Sequence, residues 1–206
     1  MTSTRSWRGL SLFLSSAVRN PQLVGAVAPS SRDLGEQLTT IVPRYGSPVV
    51  VELGPGTGAV SRVIDRRLHG NGTHLAVEIN PQMAEHLRAS HPFMSVVCGD
   101  AAQLDSLLAE AGEPRVHAVV SGLPWSLFDE ELQRAVLSQV CGALTPDGGF
   151  STFAYRHAAR LSGARRFRAL LDEFFDEVIV TRTVWRNLPP ALVYVCRRPI
   201  AHSDDA

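Results

Sequence analysis

The chain has 206 residues, 45% hydrophobic and 19% charged, enough apolar material for one domain with a sizeable core and too much for a disordered chain. Its 20 basic residues, all arginine, balance 20 acidic ones, so no overall positive field draws it to a polyanion and nucleic-acid binding is not expected. Cys98, Cys141 and Cys196 lack CxxC spacing and predict no metal site, and no apolar run reaches the roughly 18 residues of a membrane span. These features predict a cytoplasmic protein that at most lies on the inner face of the cell membrane.

In chain order, Trp7, Leu10, Phe13, Leu14, Ala17 and Val18 recur at helical spacing beside Arg5, Arg8 and Arg19. Residues 1–40 read as an N-terminal amphipathic segment that either rests weakly in a membrane interface or packs on the domain as a lid. After Pro48, short β-branched runs alternate with helical ones. The spacing predicts strands over 49–53, 73–79, 95–98, 116–121, 150–155, 177–185 and 192–197. It predicts helices over 59–68, 81–90, 101–110, 130–144 and 165–175, with Pro146-Asp147-Gly148-Gly149 as a tight turn. Residues 41–200 thus form one α/β domain, Rossmann-like, and 201–206 a tail. Its sheet is seven-stranded and mostly parallel, with a C-terminal antiparallel hairpin and helices on both faces.

The strongest constellation is Glu52-Leu53-Gly54-Pro55-Gly56-Thr57-Gly58, at the carboxyl end of the first strand. Three glycines in five residues let backbone turn sharply and approach a ligand closely. In open parallel sheets ligands bind at such ends. Alone, the loop would serve equally for a dinucleotide or for a tight connection with no ligand. Glu78 ends the second strand 20 residues after Gly58, where an acidic side chain meets ribose hydroxyls, and Asp100 ends the third, where a carboxylate can accept from an adenine amino group. Asp100 is also a good helix N-cap. Acidic groups at successive strand ends together predict a nucleoside cofactor.

At these residues the chain resembles the class I S-adenosylmethionine-dependent methyltransferases, whose loop reads acidic-x-Gly-x-Gly-x-Gly, as Glu52 to Gly58 does. The resemblance implies S-adenosyl-L-methionine as cofactor and residues 41–200 as the methyltransferase domain. It implies that Gly54, Pro55, Gly56, Thr57 and Gly58 cradle the cofactor, with Glu78 and Ile79 at the ribose, Asp100 and Ala101 at the adenine and Ser121 also against the cofactor. Glu52 would help place the methionine amino group.

The fourth strand ends in Ser121-Gly122-Leu123-Pro124-Trp125, similar to the motif whose backbone carbonyls receive the acceptor in amino-directed methyltransferases; a plain turn held by Pro124 is the alternative. More widely, Val24 to Arg32, the glycine loop, Val77 to Pro81, Ser121 to Pro124 and Trp185 to Ala191 resemble the bacterial phospholipid N-methyltransferases that act on phosphatidylethanolamine. That family is itself similar to the rRNA adenine dimethylases. The chain departs from it at Trp125-Ser126 and Arg156-His157. The resemblance implies methylation of phosphatidylethanolamine toward phosphatidylcholine, with a soluble amine or other metabolite as the alternative acceptor. Ser121, Gly122, Leu123, Pro124 and Tyr155 would carry the catalytic step, and Trp125, Tyr155, Arg186, Ser30 and Ser31 would meet the substrate. His157 is a candidate proton acceptor, or simply an exposed residue at a helix start.

Overall fold

The computed structural model describes residues 30–200, so the amphipathic stretch of residues 5–19 and the tail lie outside the described residues. Ser31 caps the first helix, α1 (Arg32–Leu38), its hydroxyl accepting from Leu34 N–H. A 3-10 turn over Thr39–Ile41 leads to β1 (Val49–Leu53). There follow α2 (Ser61–Leu68), β2 (Thr73–Glu78), α3 (Pro81–Ser90) and β3 (Ser95–Cys98). Next come α4 (Leu104–Glu110), β4 (Val116–Ser121), α5 (Glu130–Ala143) and β5 (Leu144–Tyr155). The chain closes with α6 (Ser162–Phe174), β6 (Phe175–Val180) and β7 (Ala191–Pro199).

The seven strands form one sheet in the order β3-β2-β1-β4-β5-β7-β6. β1 to β5 pair in parallel, and β7 runs antiparallel between β5 and β6. Alternation along β1 sends Val49, Val51 and Leu53 to one face, with residues of α4, α5 and α6, and Val50 to the other, with residues of α1 and α2. α3 covers that second face beside Ala76. Each fully buried aliphatic side chain contributes about 1.5–3 kcal/mol, so a central strand buried on both faces anchors the layers. The order jumps from β1 to β4 at the centre of the sheet, the switch point at whose carboxyl ends open α/β sheets bind their ligands.

Two local expectations change. Pro146 to Gly149 is not a turn ahead of the fifth strand. β5 already begins at Leu144, and the register steps from Val116↔Leu144 to Ala118↔Gly149, so these residues bulge from a continuous strand. The sixth strand ends at Val180 rather than running on, because the Thr181 hydroxyl takes the Val193 N–H at 3.1 Å in place of a backbone carbonyl. A bridge resumes at Val184↔Ala191. Ahead of β1, Leu34 and Leu38 of α1 and Ile41 pack into the core on the sheet's second face.

Candidate active site

Gly54, Gly56 and Gly58 hold φ of +67°, +56° and +75°, backbone that side chains rarely adopt. Their loop is pinned on both sides. Gly54 N–H donates to Val77 O of β2 at 3.0 Å, and Gly122 N–H donates to Leu53 O at 2.8 Å. A Cβ on Gly122 would fall 2.6 Å from Gly54 O, so the β1 and β4 loops meet backbone to backbone. Gly56 differs: a Cβ there would meet nothing within 4 Å. The loop therefore keeps one face clear, as a nucleoside cofactor requires.

Glu78 stands beside that face, 5% exposed, its Oε1 accepting from Asn80 N–H at 2.9 Å. Burial pushes its carboxyl upward, while the N–H groups of Asn80, Ile79 and Gly56 pull it back. The Gly56 amide thus faces the carboxyl group at the end of β2. Asp100 accepts from Ala102 N–H through Oδ1 at 3.0 Å and so does cap the short turn Ala101–Gln103. Half-buried Ile79 and buried Ala101 flank these two carboxylates in the chain.

Glu52 is spent inside the protein. Its Oε2 accepts from Ser61 Oγ at 2.6 Å and meets His74 Nε2 at 3.1 Å, all three residues being buried. The carboxylate braces the root of the loop against α2 and β2. His74 Nδ1 and His91 Nε2 are buried without partners among the described residues.

On the β4 side, Ser121 Oγ accepts from Leu123 N–H at 3.3 Å and from Trp125 Nε1–H at 3.1 Å. Leu123 O accepts from Trp125 N–H at 3.0 Å. Gly122 is exposed, and its carbonyl accepts no hydrogen bond among the described residues. Trp125 is 3% exposed and stacks on Phe167 of α6 with ring centroids 4.3 Å apart. Its indole thus lies in the core, and it shapes the loop through Ser121 instead of offering a ring face to solvent. Pro124 precedes the 3-10 turn Trp125–Leu127. Gln133 of α5, fully buried, donates to Trp125 O at 2.7 Å and to Gly163 O at 3.1 Å, fastening this loop to α6.

Tyr155 ends β5 on the α1/α2 face, half-buried, with its hydroxyl pKa raised by burial. It stacks on exposed His157 at 5.8 Å. Ser31 N–H donates to Asn187 Oδ1 at 2.8 Å, joining segments 156 residues apart, while Ser30 is half-buried. Arg186 is on the surface, its side chain 88% exposed and 3.9 Å from Asp33. Sequence pattern assigns no site role to His74, His91, Gln133 or Asn187. Asn187 lies in the motif from Trp185 to Ala191, but the two histidines and Gln133 carry no local signal, since their burial is made by distant strands and helices.

Fold and loop together define an α/β methyltransferase of class I. A family model described as a methyltransferase domain matches residues 50–148. An ornithine lipid N-methyltransferase from Singulisphaera acidiphila is 35% identical over 189 residues, 90% of this chain and 94% of that one. A ribosomal RNA small subunit methyltransferase A from a Burkholderia species is 29% identical over 173 residues, 75% of this chain and 53% of that protein. Among solved structures, Burkholderia thailandensis 1,6-didemethyltoxoflavin-N1-methyltransferase, with bound 1,6-didemethyltoxoflavin and S-adenosylhomocysteine, superposes with a TM-score of 0.62 at 16% identity, covering 96% of this chain and 91% of that one. The chain belongs to the S-adenosylmethionine-dependent methyltransferases, and S-adenosylmethionine is its cofactor. Bound there, it supplies an electrophilic sulfonium methyl group.

Proposed function

We propose that this enzyme N-methylates the primary amine of a membrane-lipid headgroup, phosphatidylethanolamine or an ornithine lipid. The observation that carries the reading is the likeness to an ornithine lipid N-methyltransferase over nearly the full length of both chains. In this reading Gly54 to Gly58 cradle the cofactor, Glu78 holds the ribose, Asp100 and Ala101 flank the adenine, and Ile79 lies between them. Glu52 acts from behind the loop, through Ser61 and His74.

The acceptor is an ammonium at neutral pH, so it must lose a proton before its lone pair can take the methyl group, the new N–C bond forming as the methyl–sulfur bond breaks and S-adenosylhomocysteine leaves. Gly122 O, without another donor among the described residues, receives the amine, and Ser121, Leu123 and Pro124 fix that carbonyl's direction. Tyr155 bounds the acceptor with its ring or hydroxyl, and exposed His157 beside it takes the proton to water. Ser30, Ser31 and Arg186 border the headgroup, Arg186 meeting its anionic group. In this reading the protein works at the membrane surface, because the acceptor headgroup is held there by its lipid tails; no helix among the described residues is long and apolar enough to cross a bilayer.

The test is methyl-labelled S-adenosylmethionine offered with vesicles of phosphatidylethanolamine or of ornithine lipid, and in parallel with soluble amines and ribosomal RNA. Label in either lipid supports the reading and names the headgroup. Label confined to soluble amines or RNA removes it.

A further inference from the structure

The rows Leu53↔Ser121, Ser121↔Thr152, Thr152↔Tyr194 and Val180↔Tyr194 run across the sheet near its carboxyl edge. β5 continues past this row to Tyr155, so the segment after it and the β6–β7 loop stand at the same end as the glycine loop. Between Arg156 and Leu171 the sequence has five arginines (156, 160, 165, 166 and 168) and no carboxylate. Between Thr181 and Ala191 it has two more, Arg182 and Arg186, again with no carboxylate. A chain of zero formal net charge thus concentrates seven of its 20 cations on the two segments flanking the β5 side of the site. Of the nearby acids, Asp129 caps α5 and Glu130 pairs with Arg134, while Asp172 pairs with Arg168 and Asp33 lies 3.9 Å from Arg186, so Arg156, Arg160, Arg165, Arg166 and Arg182 are the five without an ion pair among the described residues.

Large apolar side chains are exposed among these cations. Trp185 is 68% exposed, Leu188 63% and Leu161 49%. The Arg156 guanidinium lies over the Trp185 ring, 5.2 Å from its centroid, and bonds Thr183 Oγ1 at 3.4 Å, so the indole is held outward rather than folded down. An indole and leucines among arginines suit the headgroup layer of a bilayer, where apolar groups immerse and guanidinium groups meet phosphates. An RNA duplex would meet the same charge but offers no apolar layer for Leu161, Trp185 and Leu188.

We infer that residues 156–166 and 181–190 form a docking surface for an anionic phospholipid bilayer, which presents the acceptor headgroup directly to the site. This inference rests on the lipid-acceptor reading for its purpose, yet it is separately testable. The full chain is sedimented with phosphatidylcholine vesicles, with and without phosphatidylglycerol, and with an RNA duplex as competitor. Binding is expected only to the anionic vesicles and to fade with added salt. The double variant Arg160→Gln/Arg182→Gln is expected to bind them about 30-fold more weakly, from the loss of two surface charges. Trp185→Ala is expected to cut binding about tenfold even in high salt. All three side chains are exposed, and circular dichroism verifies that the variants fold.

Unchanged vesicle binding in both variants overturns the surface, as does equal binding to neutral vesicles. RNA binding tighter than vesicle binding, and lost in the arginine variant, overturns the choice of lipid. Anionic-vesicle binding that the variants lose, with no label entering any lipid, supports the surface and removes the acceptor reading. Label entering vesicle lipid at the same rate in wild type and variants keeps the acceptor and removes the surface.

Discussion

Gly58 and His91 compete for one space. A Cβ built on Gly58 would overlap the imidazole, meeting Nε2 first and Cε1 at 2.6 Å. His91 is 1% exposed and has little room to retreat. The Ser90 hydroxyl donates to His86 O at 2.7 Å, so it accepts from His91 Nδ1–H at 2.8 Å, which leaves Nε2 as a bare acceptor under the loop.

Substitutions at the loop glycines are therefore expected to separate fold from ligand. Gly58→Ala meets both the ring and a φ of +75°, whose steric cost alone is about 1–2 kcal/mol. It should lower thermal stability and weaken S-adenosylhomocysteine binding by about tenfold or more, and adding His91→Ala should recover only part of the loss, since the backbone strain remains. Gly56→Val meets nothing in the protein, so the fold should survive with only the strain cost while cofactor binding is abolished, because the side chain enters the ligand's space. Calorimetric titration beside thermal melts reads both. Unchanged affinity in Gly56→Val would remove the loop from the cofactor site.

The same histidine predicts a pH dependence. Burial holds the His91 pKa below its ordinary 6.5, with Arg62, His86 and His74 acting in the same direction and Glu52 opposing. Above pH 6.5 native and unfolded chains both carry a neutral ring. As the pH falls below that value the unfolded chain binds a proton that the native chain refuses, so stability is lost until the lowered native pKa is passed. His91→Asn should flatten the decline of urea-unfolding free energy below pH 6.5. Parallel declines in wild type and variant would assign the effect to other groups.

Glu78→Gln is expected to trade in opposite directions. Desolvation is the largest influence on this carboxylate and works against its charge, so the neutral amide should leave stability at pH 7 equal or higher. Removing a charged acceptor for ribose hydroxyls costs about 1.5–3 kcal/mol, some tenfold to hundredfold in cofactor affinity. A Glu78→Gln variant that binds S-adenosylhomocysteine normally would refute the ribose assignment.

How far these features were legible in the sequence depends on how local their causes are. β1, its glycine loop and Glu78 were readable because period, turn chemistry and strand-end position all lie within one short window. Trp125 was expected at the substrate from the resemblance carried by the motif that ends the fourth strand. It is buried because Phe167, 42 residues later, stacks upon it. Pro146 and the glycines after it signal a turn, but parallel pairing with β4 absorbs them as a bulge. His74 and His91 look like ordinary polar residues, and only the assembled fold buries one ring nitrogen of each without a partner among the described residues. Ser31 and Asn187 were each visible in a motif, whereas their hydrogen bond is a product of the closed sheet.

That last contact gives a prediction for the acceptor side. Asn187 is 3% exposed and holds two partners, Ser31 N–H through Oδ1 at 2.8 Å and Pro189 O through Nδ2 at 2.7 Å. Asn187→Ala leaves both without their side-chain partner, at a cost of about 1–3 kcal/mol. The contact ties the start of α1 to the β6–β7 loop, on the far side of β4 and β5 from Glu78 and Asp100. The variant should therefore raise KM for the methyl acceptor several-fold while the dissociation constant for S-adenosylhomocysteine stays near wild type. Asn187→Asp keeps the oxygen that accepts from Ser31 and should recover part of the stability. An equal loss of cofactor affinity would place this contact in the cofactor's support rather than the acceptor's.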